Sequence, residues 1–334
     1  MLAIWDADVH DEAQLREWYD VWRAGQPHRP PDLIPSWESA RVPLATRRSD
    51  FDVTLFGVRD SGTLVGVALL NLPMDDNRTV AYADLMTHAD HRRRGVGTAL
   101  LAELERRVLA AERERLLTEV FVPAGDEGAR TGDQAFAESQ GYAVANREGM
   151  KAVHLDEAES LWPALEAEVE AARGDYRVVT WRDVCPEEHV ESFGQALSRV
   201  MSLIPQGELD LEDRQWTVER VRAAEKHRIE IGLATVETVA VAPDGTVVGL
   251  TGVRANLADP RVARIGVTMV LPEHRGHRLG LATKLASHCA LREQVPGCHL
   301  VVTSNSEVNT HMNAINEALG YEQLETLVEY HKHL

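Results

Sequence analysis

Two short segments of this chain set arginine and glycine at a spacing that suits an anion. Residues 90–97 read DHRRRGVG and residues 273–280 read EHRGHRLG. In the first, Arg92, Arg93 and Arg94 supply positive charge, while Gly95 and Gly97 keep side chains out of the way so that a ligand can approach the backbone. Val96 and Thr98 then open an amphipathic helical run. A helix that starts here leaves its first N–H groups without internal partners, and its dipole favours negative charge at that end. The ligand best matched to such a cradle is a pyrophosphate. The spacing is neither the phosphate-loop pattern G-x-x-x-x-G-K-[ST] nor the dinucleotide pattern G-x-G-x-x-G. The second segment, Arg275-Gly276-His277-Arg278-Leu279-Gly280 followed by Leu281, places Arg278 where the first has Gly95. An arginine there is expected to hinder close backbone approach while offering its own guanidinium to phosphate, with Gly276 as partial compensation.

The elements that must carry these segments are repeated. SGTLVGV at 61–67 returns as DGTVVGL at 244–250, at the same offset as the two arginine-rich segments. A fixed offset across two unlike motifs signals a duplicated domain. Each half opens with a short strand (2–5; 177–181) and two helical stretches (about 11–24 and 36–46; about 187–201 and 213–228). Three strand-like runs follow, 52–58, 63–71 and 79–87 in the first half and 235–242, 246–254 and 262–271 in the second. All are rich in Val, Ile, Leu and Thr, with Asp-Gly or Ser-Gly turns between. The third run meets the arginine motif. The helix beyond it sets Leu100, Leu101, Leu104, Val108 and Ala111 on one stripe, and LATKLASHCAL at 281–291 is expected to behave alike. A buried strand, another helix, a Gly-Tyr pair (Gly141-Tyr142; Gly320-Tyr321) and a closing strand complete each half. This gives an α/β reading with a mixed sheet in two tandem domains, residues 1–155 and 175–334, joined by a charged helical connector at 156–174.

Bulk composition narrows the function classes. The chain has 334 residues and a formal charge of −18, from 53 acidic and 35 basic residues. A general nucleic-acid partner would call for the opposite sign, whereas an acidic surface draws in a cationic amine. Cys185, Cys289 and Cys298 form no close-spaced set, which fits a reducing cytoplasm and predicts no metal site. His331 and His333 stand on one side of a closing strand without a partner motif. No apolar run approaches the roughly 18 residues of a membrane span, and the first residues lack the basic and apolar regions of a signal peptide.

The run Arg92-Arg93-Arg94-Gly95-Val96-Gly97 resembles the R/Q-x-x-G-x-G/A motif of the GNAT superfamily of N-acetyltransferases, and the order of elements in each half is similar to that fold. The resemblance covers nearly the whole chain, twice, as two tandem GNAT-like acyl-CoA N-acyltransferase domains. It implies acetyl-CoA (coenzyme A) as donor, with the cradle residues on the diphosphate. The backbone of Leu85, Met86 and Thr87, and of Met269, Val270 and Leu271, would pair with the pantetheine arm. It further implies that this strand splays from the next, and that an amine attacks the thioester directly.

Family members often carry Asn and Tyr eleven and four positions before the final glycine, the Asn on the cofactor and the Tyr protonating the departing thiolate. Here those positions hold Asn309 and Asn316 in the second half, and Arg130 and Ala137 in the first. Asn305 and Asn309 are therefore expected near the cofactor and Asn316 in the place of the catalytic Tyr. Asp84, on the strand before the first cradle, sits where the family sometimes has a carboxylate base. The matching residue of the second half is Val267, so a water relay or one of Glu208, Asp210, Glu212 and Asp213 would have to substitute.

The expectation is a cytoplasmic enzyme that acetylates a primary amine of a small molecule, with the second half catalytic. The alternatives are an acceptor of the mycothiol type, a protein N-acetyltransferase, and a non-catalytic acyl-CoA-binding or scaffold protein. The sequence leaves the oligomeric state open.

Overall fold

The computed structural model describes residues 1–125 and 130–334. The chain forms two compact units. The first contains Met1–Arg147, Gly207–Asp210 and Glu325–Leu334, and the second Glu148–Gln206 and Leu211–Leu324. In chain order the elements are β1 (Leu2–Asp6), α1 (Glu12–Ala24), α2 (Trp37–Ala45), β2 (Phe51–Asp60), β3 (Thr63–Pro73), β4 (Val80–Thr87), α3 (Val96–Ala110), β5 (Arg115–Pro123), α4 (Gly132–Ser139) and β6 (Ala143–His154). Then come α5 (Leu155–Ala158), α6 (Trp162–Ala172), β7 (Arg177–Arg182), α7 (Glu187–Leu197), α8 (Val200–Leu203), α9 (Val218–Glu230), β8 (Leu233–Val241), β9 (Val247–Asn256), β10 (Asp259–Val270), α10 (Leu279–Gln294), β11 (Leu300–Ser306), α11 (Thr310–Ala318) and β12 (Glu322–His333).

In the first unit the sheet runs β1-β2-β3-β4-β5-β12, antiparallel except where β4 lies parallel to β5. β3 is apolar on both faces because helices cover both. Val67 packs with Leu15, Trp18 and Tyr19 of α1, and Val65 and Ala68 pack with Leu100, Leu104 and Val108 of α3. The stripe read from the α3 sequence is therefore the buried one. Burying each of Leu100, Leu104 and Val108 contributes roughly 1.5–3 kcal/mol, which fixes the start of α3 over β3 and β4.

The second unit repeats the scheme as β6-β11-β10-β9-β8-β7. Here α7 and α9 pack through Val190, Phe193 and Val221, and α6 and α10 through Leu165, Val169, Leu281 and Leu285. α10 departs from the expectation that it would match α3. Its buried face also carries Thr283, Lys284, Ser287 and His288. Thr283 accepts from Thr251 at 2.9 Å, and Ser287 donates to Thr238 at 3.0 Å, so much of this polar stripe is satisfied against the sheet.

Two differences from the sequence reading concern long-range pairing and one loop. The strand after Gly320-Tyr321 joins the first unit, with Glu325 through His333 opposite Pro123 through Arg115 of β5. The strand after Gly141-Tyr142 crosses into the second unit, with Glu148 through His154 opposite Ser306 through Leu300 of β11. The helix expected from residue 213 begins at Val218, where the Thr217 hydroxyl caps it by accepting from the Arg220 N–H. Upstream, Asp213 accepts from the Ser202 N–H at 2.9 Å.

Candidate functional site

In each unit two parallel strands part company. β4 pairs with β5 over only Val80–Tyr82, opposite Arg115–Leu117, yet stays paired with β3 from Tyr82 to Thr87. β10 pairs with β11 over only Val262–Arg264, opposite Leu300–Val302, yet stays paired with β9 as far as Val270. Among the described residues, Ala83–Thr87 and Ile265–Val270 therefore have ladder partners on one edge only. Leu85, Met86 and Thr87 lie opposite Ala68, Val67 and Gly66, and Met269 and Val270 lie opposite Leu250 and Gly249. The Leu271 N–H donates to the Val248 carbonyl. Their other edge faces the gap and offers amide groups to an extended ligand.

Each gap ends at a cradle of the same backbone shape. Two residues adopt left-handed φ, Arg93 (64°) and Gly95 (80°) in the first and Gly276 (90°) and Arg278 (54°) in the second. Each cradle thus has one glycine and one arginine at these two positions, in opposite order. Gly95 and Arg278 are the N-caps of α3 and α10, and neither helix has a side-chain cap bond, so the first-turn N–H groups point outward uncapped. Gly97 and Gly280 lie against the following helix, where an added Cβ would sit 3.4 Å from Phe136 and 3.1 Å from Ile315. Because an L-residue pays a steric cost at positive φ, Arg278→Gly should stabilise the second unit by about 0.5–1 kcal/mol and Gly95→Arg should destabilise the first by a similar amount. Urea unfolding of the two variants checks both signs.

The arginines divide between structure and surface. Arg92 donates to the Gly25 carbonyl at 2.8 Å and pairs with Asp133 at 3.5 Å, so it braces the loop. Arg93, Arg94 and Thr98 are exposed at the mouth, and Val96 is buried beneath them. In the second cradle Arg275 donates to the Val270 carbonyl at 3.3 Å and Arg278 pairs with Glu168 at 3.2 Å. The His277 ring lies 4.9 Å from that of Tyr176. Leu279, Gly280 and Leu281 are buried.

On the α1 side of β4, Asp84 accepts from the Trp22 indole at 2.8 Å. Burial pushes its carboxyl above the usual range, against the pull of that bond and of Arg29. Arg29, in the proline-rich loop, makes two bonds to Glu325, at 2.6 and 3.2 Å, and its guanidinium lies 3.4 Å from the Phe121 ring centroid. The first unit thus fills the approach to its own carboxylate with Trp22 and this loop.

The end of β11 and the helix α11 hold a chain of amides. Asn309 is the N-cap of α11, accepting from the Met312 N–H at 3.2 Å. Asn316 is fully buried. Its Nδ2 donates to Asn305 at 2.7 Å, its Oδ1 accepts from Lys284, and Asn305 in turn donates to Asn313 at 2.8 Å. Both polar atoms of Asn316 are therefore engaged inside the unit, and the proton-bearing group beside it is the Lys284 ammonium. Lys284 has an amide partner in place of a carboxylate, lies 4.6 Å from the Tyr321 ring centroid, and is pushed down to about 7 by burial and by Lys151. Sequence reading passed over Lys284. Its signal was a lysine at an inward position of α10.

The second unit also holds charges that the sequence did not single out. Glu237 of β8 is 5% exposed, yet makes no hydrogen bond or ion pair among the described residues. It stands in register with Gly252, which in turn stands opposite Val267, the counterpart of Asp84. A Cβ on Gly252 would lie 2.5 Å from Glu237 Oε2, so the carboxylate occupies the space above that glycine. β10 has a bulge between Ile265 and Val267, and a Cβ on the bulged Gly266 would lie 3.3 Å from Arg254 Nη1. Arg228 of α9 is a second cation that acts on Glu237. The Nε atoms of Arg228 and Arg254 are buried without hydrogen-bond partners among the described residues. Burial pushes the Glu237 carboxyl up against the pull of both arginines.

Comparison with known proteins agrees with this geometry. Residues 13–142 match the model of the acetyltransferase (GNAT) family. A mycothiol acetyltransferase of Saccharomonospora viridis is 28% identical over 276 residues, 80% of this chain and 79% of that protein. Another from Stackebrandtia nassauensis is 28% identical over 282 residues, 83% and 82% of the respective chains. Among solved structures, a tandem GNAT protein from the clavulanic acid biosynthesis pathway superimposes with a TM-score of 0.81 at 27% identity, covering 100% of this chain and 98% of that one.

Proposed function

We propose that the chain, similar to the GNAT acetyltransferase family over residues 13–142 and to a tandem GNAT protein over its whole length, transfers an acetyl group from acetyl-CoA to a primary amine of a small molecule. We assign the chemistry to the second unit. The observation that carries this reading is the splayed strand edge ending on an uncapped helix start, present in each unit. The edge at Leu85–Thr87 or Met269–Leu271 would hold the pantetheine amides, and the first turn of α3 or α10 the diphosphate. Arg93 and Arg94 add charge at the first mouth, and Arg278 at the second. A thioester held in the gap would supply the acetyl group to an attacking amine.

The choice of unit rests on what surrounds each gap. In the first, Asp84 is already bonded to Trp22 and covered by the proline-rich loop. In the second, Glu237 and the Nε atoms of half-buried Arg228 and Arg254 are without hydrogen-bond partners among the described residues near the bulge of β10, and Lys284, bonded to Asn316, would serve as a proton source for the departing thiolate. The first unit then serves as a coenzyme-binding or supporting domain. An acceptor of the mycothiol type is the second reading, favoured by the relatives from Saccharomonospora viridis and Stackebrandtia nassauensis.

Calorimetric titration of acetyl-CoA tests the proposal, with Gly95→Asp and Arg278→Asp as probes. Aspartate tolerates left-handed backbone, yet it sets a carboxylate where a diphosphate would lie. Each variant should weaken coenzyme binding in its own unit by more than tenfold, and Arg278→Asp alone should abolish amine-dependent thiol release. Absence of saturable binding by the wild type at millimolar coenzyme would overturn the reading.

A further inference from the structure

We propose that the acceptor of the second unit is an amine that also carries a carboxylate, an amino-acid-like zwitterion whose ammonium group is received by Glu237 and whose carboxylate is held by Arg254 with Arg228. This rests on the N-acetyltransferase reading above and names its substrate class.

Two positions beside this gap carry no side chain. Gly252 and Gly266 are neighbours on β9 and β10, and each is overlain by a long charged side chain from the adjoining strand, Glu237 from β8 and Arg254 from β9. A side chain at either glycine would fill that space, so the two residues let a carboxylate and a guanidinium lie flat beside the point where β10 leaves β11. Val267 has no charge, and Glu237 reaches across Gly252 towards the place that Asp84 holds in the first unit.

The charge balance then indicates what is bound. The other acids near Arg228, Glu225 and Asp183, are already engaged: Glu225 accepts from the Cys185 N–H at 2.8 Å and from Arg222 at 2.9 Å, and Asp183 accepts from the Thr235 N–H at 2.8 Å and pairs with Arg182 at 3.2 Å. That leaves the Glu237 carboxylate, on a residue 5% exposed, without a hydrogen bond among the described residues and drawn to two half-buried arginines whose Nε atoms are buried without partners among those residues. The hydroxyl of Thr235, which is in register with Arg254, is buried and without a partner among the described residues as well. Unpaired buried charge is costly. A ligand with an ammonium for Glu237 and a carboxylate for the planar forks of Arg254 and Arg228 satisfies these groups together. A simple amine would leave the positive excess uncompensated.

The step balances. Glu237 takes one ammonium proton, and the freed amine forms an N–C bond to the acetyl carbonyl as the C–S bond breaks. The proton then lost from nitrogen ends on the coenzyme sulfur.

The test compares amino carboxylates with their carboxamides, which keep the amine and lose the anion. Wild-type protein should prefer the carboxylate by at least tenfold in kcat/KM. Arg254→Gln should bring the pair close to parity with coenzyme affinity unchanged, and Arg228→Gln, on a different element, should reduce the preference in the same direction. Glu237→Gln should lower kcat for both by about 10²-fold or more, again at unchanged coenzyme affinity. Equal turnover of the two acceptor classes, or a carboxylate preference that survives Arg254→Gln, overturns the assignment. If the coenzyme does not bind, the acetyltransferase reading fails, and the cluster is judged by calorimetry with acceptor alone. Tighter binding of carboxylate than carboxamide would then uphold it, and equal or no binding would overturn it.

Discussion

Replacing Lys284 by methionine is expected to stabilise the protein at pH 6 by about 2–4 kcal/mol. Its ammonium is fully buried, bonded to the Asn316 carbonyl oxygen, repelled by Lys151, and pushed from its ordinary 10.5 down to about 7. The sign follows from proton linkage. Between about pH 7 and 10.5 the unfolded chain holds a proton on this amine that the folded protein does not, so folding becomes more favourable as pH rises through that window. Below about pH 7 the full penalty is present, on the order of 5 kcal/mol. Methionine removes it at similar volume. Against this gain stands the Asn316 oxygen left without its donor, which costs about 1–3 kcal/mol. Urea unfolding at pH 6 and pH 9 separates the terms, because wild type should gain stability between the two and Lys284→Met should gain less. A variant less stable than wild type at pH 6 would mean that the buried ammonium is a net asset to folding. The activity of the same variant bears on the proton-donor role proposed for Lys284. Loss of turnover at unchanged coenzyme affinity is expected.

Gly66→Ala is expected to cost about 1–3 kcal/mol through overpacking, whereas Gly249→Ala, its counterpart, should cost under about 1 kcal/mol. A Cβ at Gly66 would lie 2.5 Å from Val96 Cγ1, 2.9 Å from Leu100 Cδ1 and 3.2 Å from the Met86 carbonyl oxygen. Val96 is the first residue of α3 and is held by a stiff β-branched side chain, so relief requires the helix start to move off the strand. That start is also the proposed diphosphate site, so Gly66→Ala should weaken coenzyme binding in the first unit as well as stability. At Gly249 the nearest atoms are 3.2 Å (Val270 Cγ2) and 3.3 Å (Met269 O) away, and a small adjustment suffices. Paired unfolding curves and coenzyme titrations check the contrast. Equal costs at the two glycines would show that the clearances do not govern this packing.

Both glycines belong to the repeated strand motif, and that repeat was legible because it is local. The same is true of the cradle, where two left-handed residues must precede a helix start and a glycine favours that conformation. The order of strands and helices and the apolar stripe of α3 follow from periodicity in the same way. Asn309 was reached by its count from Gly320 and expected near the cofactor, whereas its side chain caps α11. Asn316 was legible by its count from Gly320, but whether its amide faced a gap or another side chain depended on Lys284, distant in sequence.

By itself, the sequence determined a duplicated α/β scaffold and the positions of two arginine–glycine turns at helix starts, because backbone conformation and helix starts are set by a few adjacent residues. The tertiary structure decided three things: which unit receives each closing strand, that Asp84 is bonded to Trp22, and that Glu237 and Arg254 lie over Gly252 and Gly266. Each depends on strand register and on side chains brought together from separate elements. An alternating apolar run does not specify its partner, and a glycine in a strand does not reveal whose side chain will occupy the space above it.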